Sequence, residues 1–190
     1  MDRSKRMIRA VDAGFQTRDE NGDLYIEGYF AVFNSKYELW PGATESVAPG
    51  AFSDTLGGDI RALADHDTRI VLGRNTAGTL ELVEDSHGLR GRIKINPDDT
   101  DAMNLYSRVK RGDINQCSFG FDILDEEIDY REDGTVHWTI RKVKLYEVSV
   151  VTFPAYTETS VSARKQDYDA IRKRKMDLWR EQTRTRLKGE

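Results

Sequence analysis

Apolar and polar side chains alternate along several short segments, which is the pattern of β-strands. The clearest is segment 22–33, GDLYIEGYFAVF, which is also rich in Tyr, Ile and Phe. Segment 79–96 alternates on both sides of the turn Asp85–Gly88 and predicts a β-hairpin. Further short apolar segments predict strands at 69–73, at 114–124 and within 126–152, the last with a hairpin turn at Asp133-Gly134.

Three other segments predict helical structure. Residues 98–100 offer N-cap oxygens, and Gly112 stands where a helix commonly ends. Between them lies the apolar stripe of a helix, at the positions Ala102, Leu105, Tyr106 and Val109. Segment 48–58 is bounded by proline and glycine and predicts one or two helical turns, and residues 164–188 predict a helical tail. With no glycine-rich phosphate loop after a strand, the pattern favours a mainly β fold with some α, an α+β barrel or sandwich.

The distribution of charge divides the chain into two predicted parts. The net charge is -4, but residues 164–190 carry ten Lys and Arg against five Asp and Glu. We therefore predict a domain over 1–163 and a basic tail over 164–190. The acidic domain argues against direct nucleic-acid binding, and the absence of a long apolar stretch argues against a membrane span or a secretory signal. One cysteine, Cys117, excludes an internal disulfide and a zinc finger.

Two residues stand out as candidates for catalysis. His66 lies between Asp65 and Asp67 just before a strand, and a neighbouring carboxylate can orient an imidazole. Ser118 lies in a predicted strand, with Gly120 two residues on and on the same face, which leaves room for a substrate backbone. Each also fits an ordinary role, as a loop histidine and as a strand serine.

Glu147 is the most anomalous residue of the chain. It lies in the otherwise apolar or small run LYEVSVV, residues 145–151, where a carboxylate is costly to bury unless it is paired. A histidine partner would satisfy it and orient the imidazole ring, whereas at a sheet edge it would simply face water. With Ser118 and His66 it completes the residue types of a nucleophile, a base and an orienting acid.

A family resemblance is carried by six blocks of sequence, in order, over about residues 8–163. The blocks are GYFAVFN (28–34), ESVAPGAFSDTL (45–56), ALADHDTRIVLGR (62–74), GLRGRIKI (88–95), GDINQCSFGF (112–121) and LYEVSVVTFPAY (145–156). On these blocks the chain resembles the prohead (procapsid) maturation proteases of tailed bacteriophages. Cys117 is a departure, because the resemblance leads us to expect Met or another apolar residue there. We predict that it faces the core, opposite Ser118.

The resemblance implies a fold, an activity and a set of site residues. The implied fold is a closed β-barrel of the herpesvirus-protease type with flanking helices. The implied activity is that of a serine endopeptidase with Ser118 as nucleophile, His66 as base and Glu147 as third member. For the oxyanion we expect backbone N–H donors, with the turn near residues 154–156 as one candidate source. No metal or organic cofactor is implied.

The resemblance also implies partners and a location. The expected partners are the major capsid protein, its scaffold region or a separate scaffold protein, and further copies of the protease in a homo-oligomer that cleaves itself. The expected location is the host bacterial cytoplasm, inside the immature procapsid. Two other classes of protein remain open: a catalytically silent assembly protein of the same fold, and a metal-dependent hydrolase that uses Asp65, His66, Asp67 and Glu147.

Overall fold

Strands make up nearly half of the described chain in a computed structural model, which describes residues 7–12, 14–153 and 158–188. The strands are β1 (Met7–Asp12), β2 (Gln16–Glu20), β3 (Asp23–Val32), β4 (Tyr37–Trp40), β5 (Ala43–Val47), β6 (Arg61–Ala64), β7 (Asp67–Arg74), β8 (Leu80–Glu84), β9 (Gly88–Ile95), β10 (Gln116–Tyr130) and β11 (Val136–Val151). The helices are α1 (Thr100–Arg111) and α2 (Glu158–Lys188). The chain divides into two compact units, Met1–Tyr156 and Thr157–Glu190, with a division slightly ahead of the boundary predicted at 163.

The larger sheet has seven strands and is built on the long hairpin of β10 and β11. β1 pairs with β10 along one edge of this hairpin. Along the other edge, β11 pairs in parallel first with β5 and then with β6, and these carry β4 and β7 respectively. The hairpin turn at 131–135 contains the predicted Asp133-Gly134, and the predicted strand 114–124 is the first part of β10.

The smaller sheet has four antiparallel strands in the order β2-β3-β9-β8. It confirms the predicted strand at 22–33 and the predicted hairpin at 79–96. Within the described residues no strand of this sheet pairs with a strand of the larger one, so the predicted closed barrel is not supported. The sheets meet instead through apolar side chains, with Phe30 and Ile93 in the same buried core as Phe119 and Phe121. The mainly β, α+β class is retained.

The alternation of β10 and β11 separates an apolar face from a polar one. Cys117, Phe119 and Phe121 lie in the hydrophobic core together with Val148 and Val150. Cys117 is fully buried, as predicted, and its Sγ lies 3.0 Å from the carbonyl oxygen of Tyr29. Because neighbouring residues of a strand point to opposite faces, the intervening positions form a second face. That face is made of Ser118, Gly120, Glu147 and Ser149.

The helix predicted after residue 98 is confirmed as α1. The Asp99 carboxylate accepts hydrogen bonds from the N–H groups of Asp101 and Ala102, and the helix ends at Gly112 with φ +87°. The helical turns predicted at 48–58 are wrong. That segment forms successive turns in which an N–H group bonds to the carbonyl three residues earlier, and Gly50 has φ +88°. The left-handed Gly50 excludes a right-handed helix at the start of the segment, and the residues after it form separate turns.

The second unit consists of the helix α2, which includes the residues predicted to be a helical tail. Its residues Met176, Leu178 and Trp179 are exposed, at 42%, 51% and 62%. The four consecutive basic residues 172–175 are exposed as well. Among the described residues, no helix is both long and apolar enough to cross a membrane.

Candidate active site

His66 lies at the tip of a tight hairpin between β6 and β7. Ala64 pairs with Asp67, so the loop consists of only Asp65 and His66. Both have positive φ, +47° and +60°, as in the two-residue turns that suit the twist of a hairpin. A non-glycine residue adopts this conformation at a cost, so the surrounding structure must hold it. The hairpin thereby carries the imidazole beside β11, the strand that pairs with β6.

The buried Glu147 carboxylate has a histidine partner, His66. Its side chain is only 4% exposed, and its Oε1 lies 2.8 Å from His66 Nδ1. Its other oxygen, Oε2, accepts a hydrogen bond of 2.6 Å from the Ser149 hydroxyl. Both carboxylate oxygens are thus satisfied, which removes the penalty of an unpaired buried charge. Among the described residues, the other ring nitrogen of His66, Nε2, is buried without a hydrogen-bond partner.

Ser118 lies on the same polar face as Glu147. In the pairing of β10 with β11, Ser118 is opposite Ser149 and Gly120 is opposite Glu147, so these side chains share one face. Ser118 is fully buried, and its hydroxyl donates a 2.8 Å hydrogen bond to the carbonyl oxygen of Arg9 in β1. Since His66 Nε2 is unpartnered, Ser118 and His66 are not hydrogen-bonded to each other. The site therefore contains a formed His66–Glu147 pair and a serine bonded elsewhere.

Two contributors to the site were not predicted. Ser149 escaped notice, although its spacing of two residues from Glu147 in a strand places both side chains on one face. The other contributor is β1, whose Arg9 carbonyl binds the serine and whose Arg9 side chain forms a buried ion pair with Glu45. The sequence offers no local signal for this contact, because Arg9 and Ser118 are far apart in the chain.

The two aspartates beside His66 form hydrogen bonds with other residues and not with the imidazole. Both Asp65 oxygens accept hydrogen bonds from Thr152, from its N–H at 2.7 Å and its hydroxyl at 3.0 Å. Asp67 binds the Arg69 side chain and backbone N–H, which lower the pKa of Asp67 to about 2. Among the described residues, no group of three or more His, Cys, Asp or Glu is placed to hold a metal ion. The ligand set of the metal-hydrolase alternative is therefore not assembled.

A second contact between a serine and a histidine lies on the larger sheet, away from Glu147. His137 Nε2 is 2.9 Å from Ser46 Oγ, and its Nδ1 is 2.7 Å from Thr44 Oγ1. Burial lowers the pKa of His137, with the nearby charges of Lys36 and Arg131 acting in the same direction. Hydroxyl groups are hydrogen-bonded to both ring nitrogens, so neither nitrogen is left to bind a carboxylate. This arrangement suits a structural histidine on a strand.

The predicted source of oxyanion donors, residues 154–156, lies outside the described residues. Of the three predicted site residues, His66 and Glu147 are joined by a hydrogen bond, and Ser118 bonds instead to the Arg9 carbonyl. The described side chains have the chemical types of a serine hydrolase, held on a two-sheet, mainly β domain.

Comparison with known proteins identifies the family. The model of the caudovirus prohead serine protease family matches residues 12–174, and the chain belongs to that family. It is similar to the prohead protease of Enterobacteria phage HK97, with 28% identity over 144 residues, 74% of this chain and 60% of that protein. It is also similar to the prohead protease of Escherichia phage T5, with 31% identity over 115 residues, 58% of this chain and 50% of that protein. The chain thus spans one half to three fifths of these relatives.

A solved structure supports the fold. The capsid assembly protease gp21 of bacteriophage T4 superposes with a TM-score of 0.53 at 14% sequence identity. The match covers 77% of this chain and 97% of that structure. At this level of identity the similarity concerns the fold alone.

Proposed function

We propose that this protein is a serine endopeptidase of prohead maturation that cleaves scaffold or capsid protein, and itself, with Ser118 as nucleophile. The observation that carries the proposal is the 2.8 Å contact between His66 Nδ1 and Glu147 Oε1, with Nε2 left without a hydrogen-bond partner in the part of the chain that the structure describes. A proton held on Nδ1 by the carboxylate makes Nε2 the basic nitrogen, which is the arrangement a serine nucleophile requires.

The first chemical step needs a change in the hydrogen bond of Ser118. Its proton now points to the Arg9 carbonyl, so its side chain must rotate before Nε2 of His66 can accept that proton. The freed Oγ attacks the scissile carbonyl carbon, and the carbonyl π electrons move to oxygen. The imidazolium then protonates the leaving amine as the C–N bond breaks and an acyl-enzyme forms. Water, deprotonated by His66, attacks the ester carbonyl, and the imidazolium returns that proton to Ser118 Oγ as the acyl C–O bond breaks.

Glu147 acts on this reaction through the imidazole. Its negative charge stabilises the imidazolium that forms when Ser118 loses its proton, and Ser149 holds the second carboxylate oxygen so that the first faces Nδ1. We keep the backbone near 154–156 as the proposed source of oxyanion donors.

The proposed substrates and location follow from the family and from the named activities of its relatives. Prohead and capsid assembly proteases act during assembly of the shell, and we propose that this chain cleaves the capsid protein or its scaffold inside the immature procapsid, in the host cytoplasm. A second copy of the chain is a further proposed substrate and partner. We also propose that residues 1–163 contain the catalytic domain and that the basic residues 164–190 serve assembly.

The decisive experiment is co-expression with the capsid protein of the same phage, followed by intact mass measurement. Ser118→Ala should fold normally and reduce cleavage by about 10⁴ to 10⁶-fold, as for other triad nucleophiles. Ser86→Ala, in the exposed turn before β9, is the matched control and should cleave like the wild type. Cleavage that persists in Ser118→Ala would refute the serine mechanism, and a wild type that never cleaves would favour a silent assembly protein. Loss of cleavage on chelation, restored by zinc, would favour a metal hydrolase.

A further inference from the structure

The turn that carries His66 is fastened to the strand that carries Glu147. The parallel pairing of β6 with β11 ends at Ala64 and Val150, and the next N–H, that of Asp65, donates a 2.9 Å bond to the Val150 carbonyl. The Asp65 carboxylate then accepts from the N–H and the hydroxyl of Thr152, two residues further along. Three hydrogen bonds thus continue the contact between these two segments beyond the last paired residues of β6 and β11.

These bonds hold a conformation that the backbone does not favour. Asp65 and His66 both have positive φ, which side chains other than glycine adopt at a cost. Without the bonds to Thr152, the turn has more freedom to move away from β11. The imidazole would move with it, because His66 is the next residue and its Nδ1 depends on that placement to reach Glu147.

We propose that Asp65 is a positioning residue that clamps the hairpin tip to the end of β11 and so keeps His66 Nδ1 within hydrogen-bond distance of Glu147. The proposal rests on the function proposed above. Asp65 acts through the backbone, since both of its oxygens are occupied by Thr152. Asp67, on the other side of His66, binds Arg69 instead and takes no part in the clamp.

Two substitutions of Asp65 distinguish a positioning role from a role of its negative charge. In Asp65→Asn, the amide oxygen still accepts from the Thr152 N–H, the NH₂ group donates to the Thr152 hydroxyl, and asparagine tolerates positive φ. We expect its kcat to stay within about threefold of the wild type. Asp65→Ala loses both bonds, and we expect kcat to fall about 10 to 100-fold with little change in KM. Asp67→Asn is the control and should retain wild-type kcat.

A spectroscopic readout tests the positioning independently of cleavage. In protein labelled with ¹⁵N-histidine, the Nδ1 proton of His66, assigned by its absence in His66→Gln, should appear in the wild type and Asp65→Asn. It should be lost by exchange with water in Asp65→Ala. If Asp65→Ala does not fold, Thr152→Val removes one of the two bonds to the carboxylate and should weaken both the proton signal and kcat.

Each result decides the matter. Equal activity in Asp65→Ala and the wild type, with the Nδ1 proton retained, would overturn the proposal. So would Asp65→Asn that is as inactive as Asp65→Ala although it keeps that proton, because the charge of Asp65 would then be what matters. If Ser118→Ala still cleaves, the proposed function fails, but the proton signal still shows whether Asp65 positions His66.

Discussion

Replacement of Glu147 by glutamine removes a charge and keeps the size of the side chain. In the wild type both carboxylate oxygens accept, from His66 Nδ1 and from the Ser149 hydroxyl. A glutamine has only one oxygen, so its NH₂ group must face one of these partners. If it faces His66, Nδ1 must accept, and the ring proton moves to Nε2, where it blocks the base. If it faces Ser149, the hydroxyl accepts and the productive tautomer survives.

Ser149 therefore determines how much activity Glu147→Gln loses. Because its hydroxyl can donate or accept, the structure does not lock the unproductive tautomer, and we expect less than the roughly 10⁴-fold loss seen where a triad acid becomes an amide and fixes that tautomer. The remaining loss of activity comes from replacing a charge-assisted hydrogen bond to His66 by a neutral one. That exchange costs about 1–2 kcal/mol, or about 5 to 30-fold in rate.

The assay is single-turnover cleavage of separately purified capsid protein by purified variants, with Glu84→Gln as a control at a half-buried carboxylate that binds Ser53 and the Gly50 N–H. Glu147→Gln should show a lower cleavage rate with nearly unchanged substrate affinity. A loss of about 10⁴-fold or more would mean that Ser149 does not accept and that the reasoning about the tautomer is wrong. No loss at all would mean that Glu147 is not the acid.

Four further outcomes are expected. Ser149→Ala should lower the free energy of unfolding by about 1–3 kcal/mol, measured in urea, because the buried Glu147 carboxylate loses a donor; an unchanged midpoint would contradict this. Burial lowers the pKa of His137 in the folded chain, so the unfolded chain binds a proton there at a higher pH than the folded chain does. The free energy of unfolding should therefore fall as the pH drops below 6.5, and this part of the pH dependence should disappear in His137→Gln. A chain of residues 1–163 should retain cleavage but lose incorporation into procapsids, and the full chain should cut itself between about residues 160 and 180. Unchanged incorporation, or an intact tail after long incubation of active enzyme, would count against these roles.

The sequence predicted the elements whose signals are local. The alternation over 114–124 identified a strand with Cys117 on its core side, and the N-cap aspartate and Gly112 marked the ends of α1. Glu147 was singled out because a carboxylate in an apolar strand demands a partner, and the histidine partner inferred from that demand is the one present. Local pattern and the chemistry of burial were sufficient for these features.

The sequence failed where backbone conformation or strand pairing decides the outcome. Segment 48–58 has the boundaries of a short helix, but Gly50 takes a left-handed conformation and the chain makes separate turns. The strand pattern left a barrel or a sandwich open and the resemblance implied a closed barrel, whereas closure depends on which strand edges pair. In the described residues, apolar side chains rather than a ladder of hydrogen bonds join the two sheets.

The contact between Ser118 and Arg9 shows most clearly why a site is more than its residue types. The types of nucleophile, base and acid were evident from the sequence, yet the proton of the serine is bound by a carbonyl in β1, 109 residues away along the chain. The buried ion pair of Arg9 with Glu45 fixes the residue that supplies this carbonyl. Since the hydroxyl exchanges one good acceptor for another when it turns to His66, the rotation costs little in hydrogen bonding. In the proposed enzyme the Ser118 hydroxyl must leave the Arg9 carbonyl before its proton can pass to His66, while the His66–Glu147 pair is already in place.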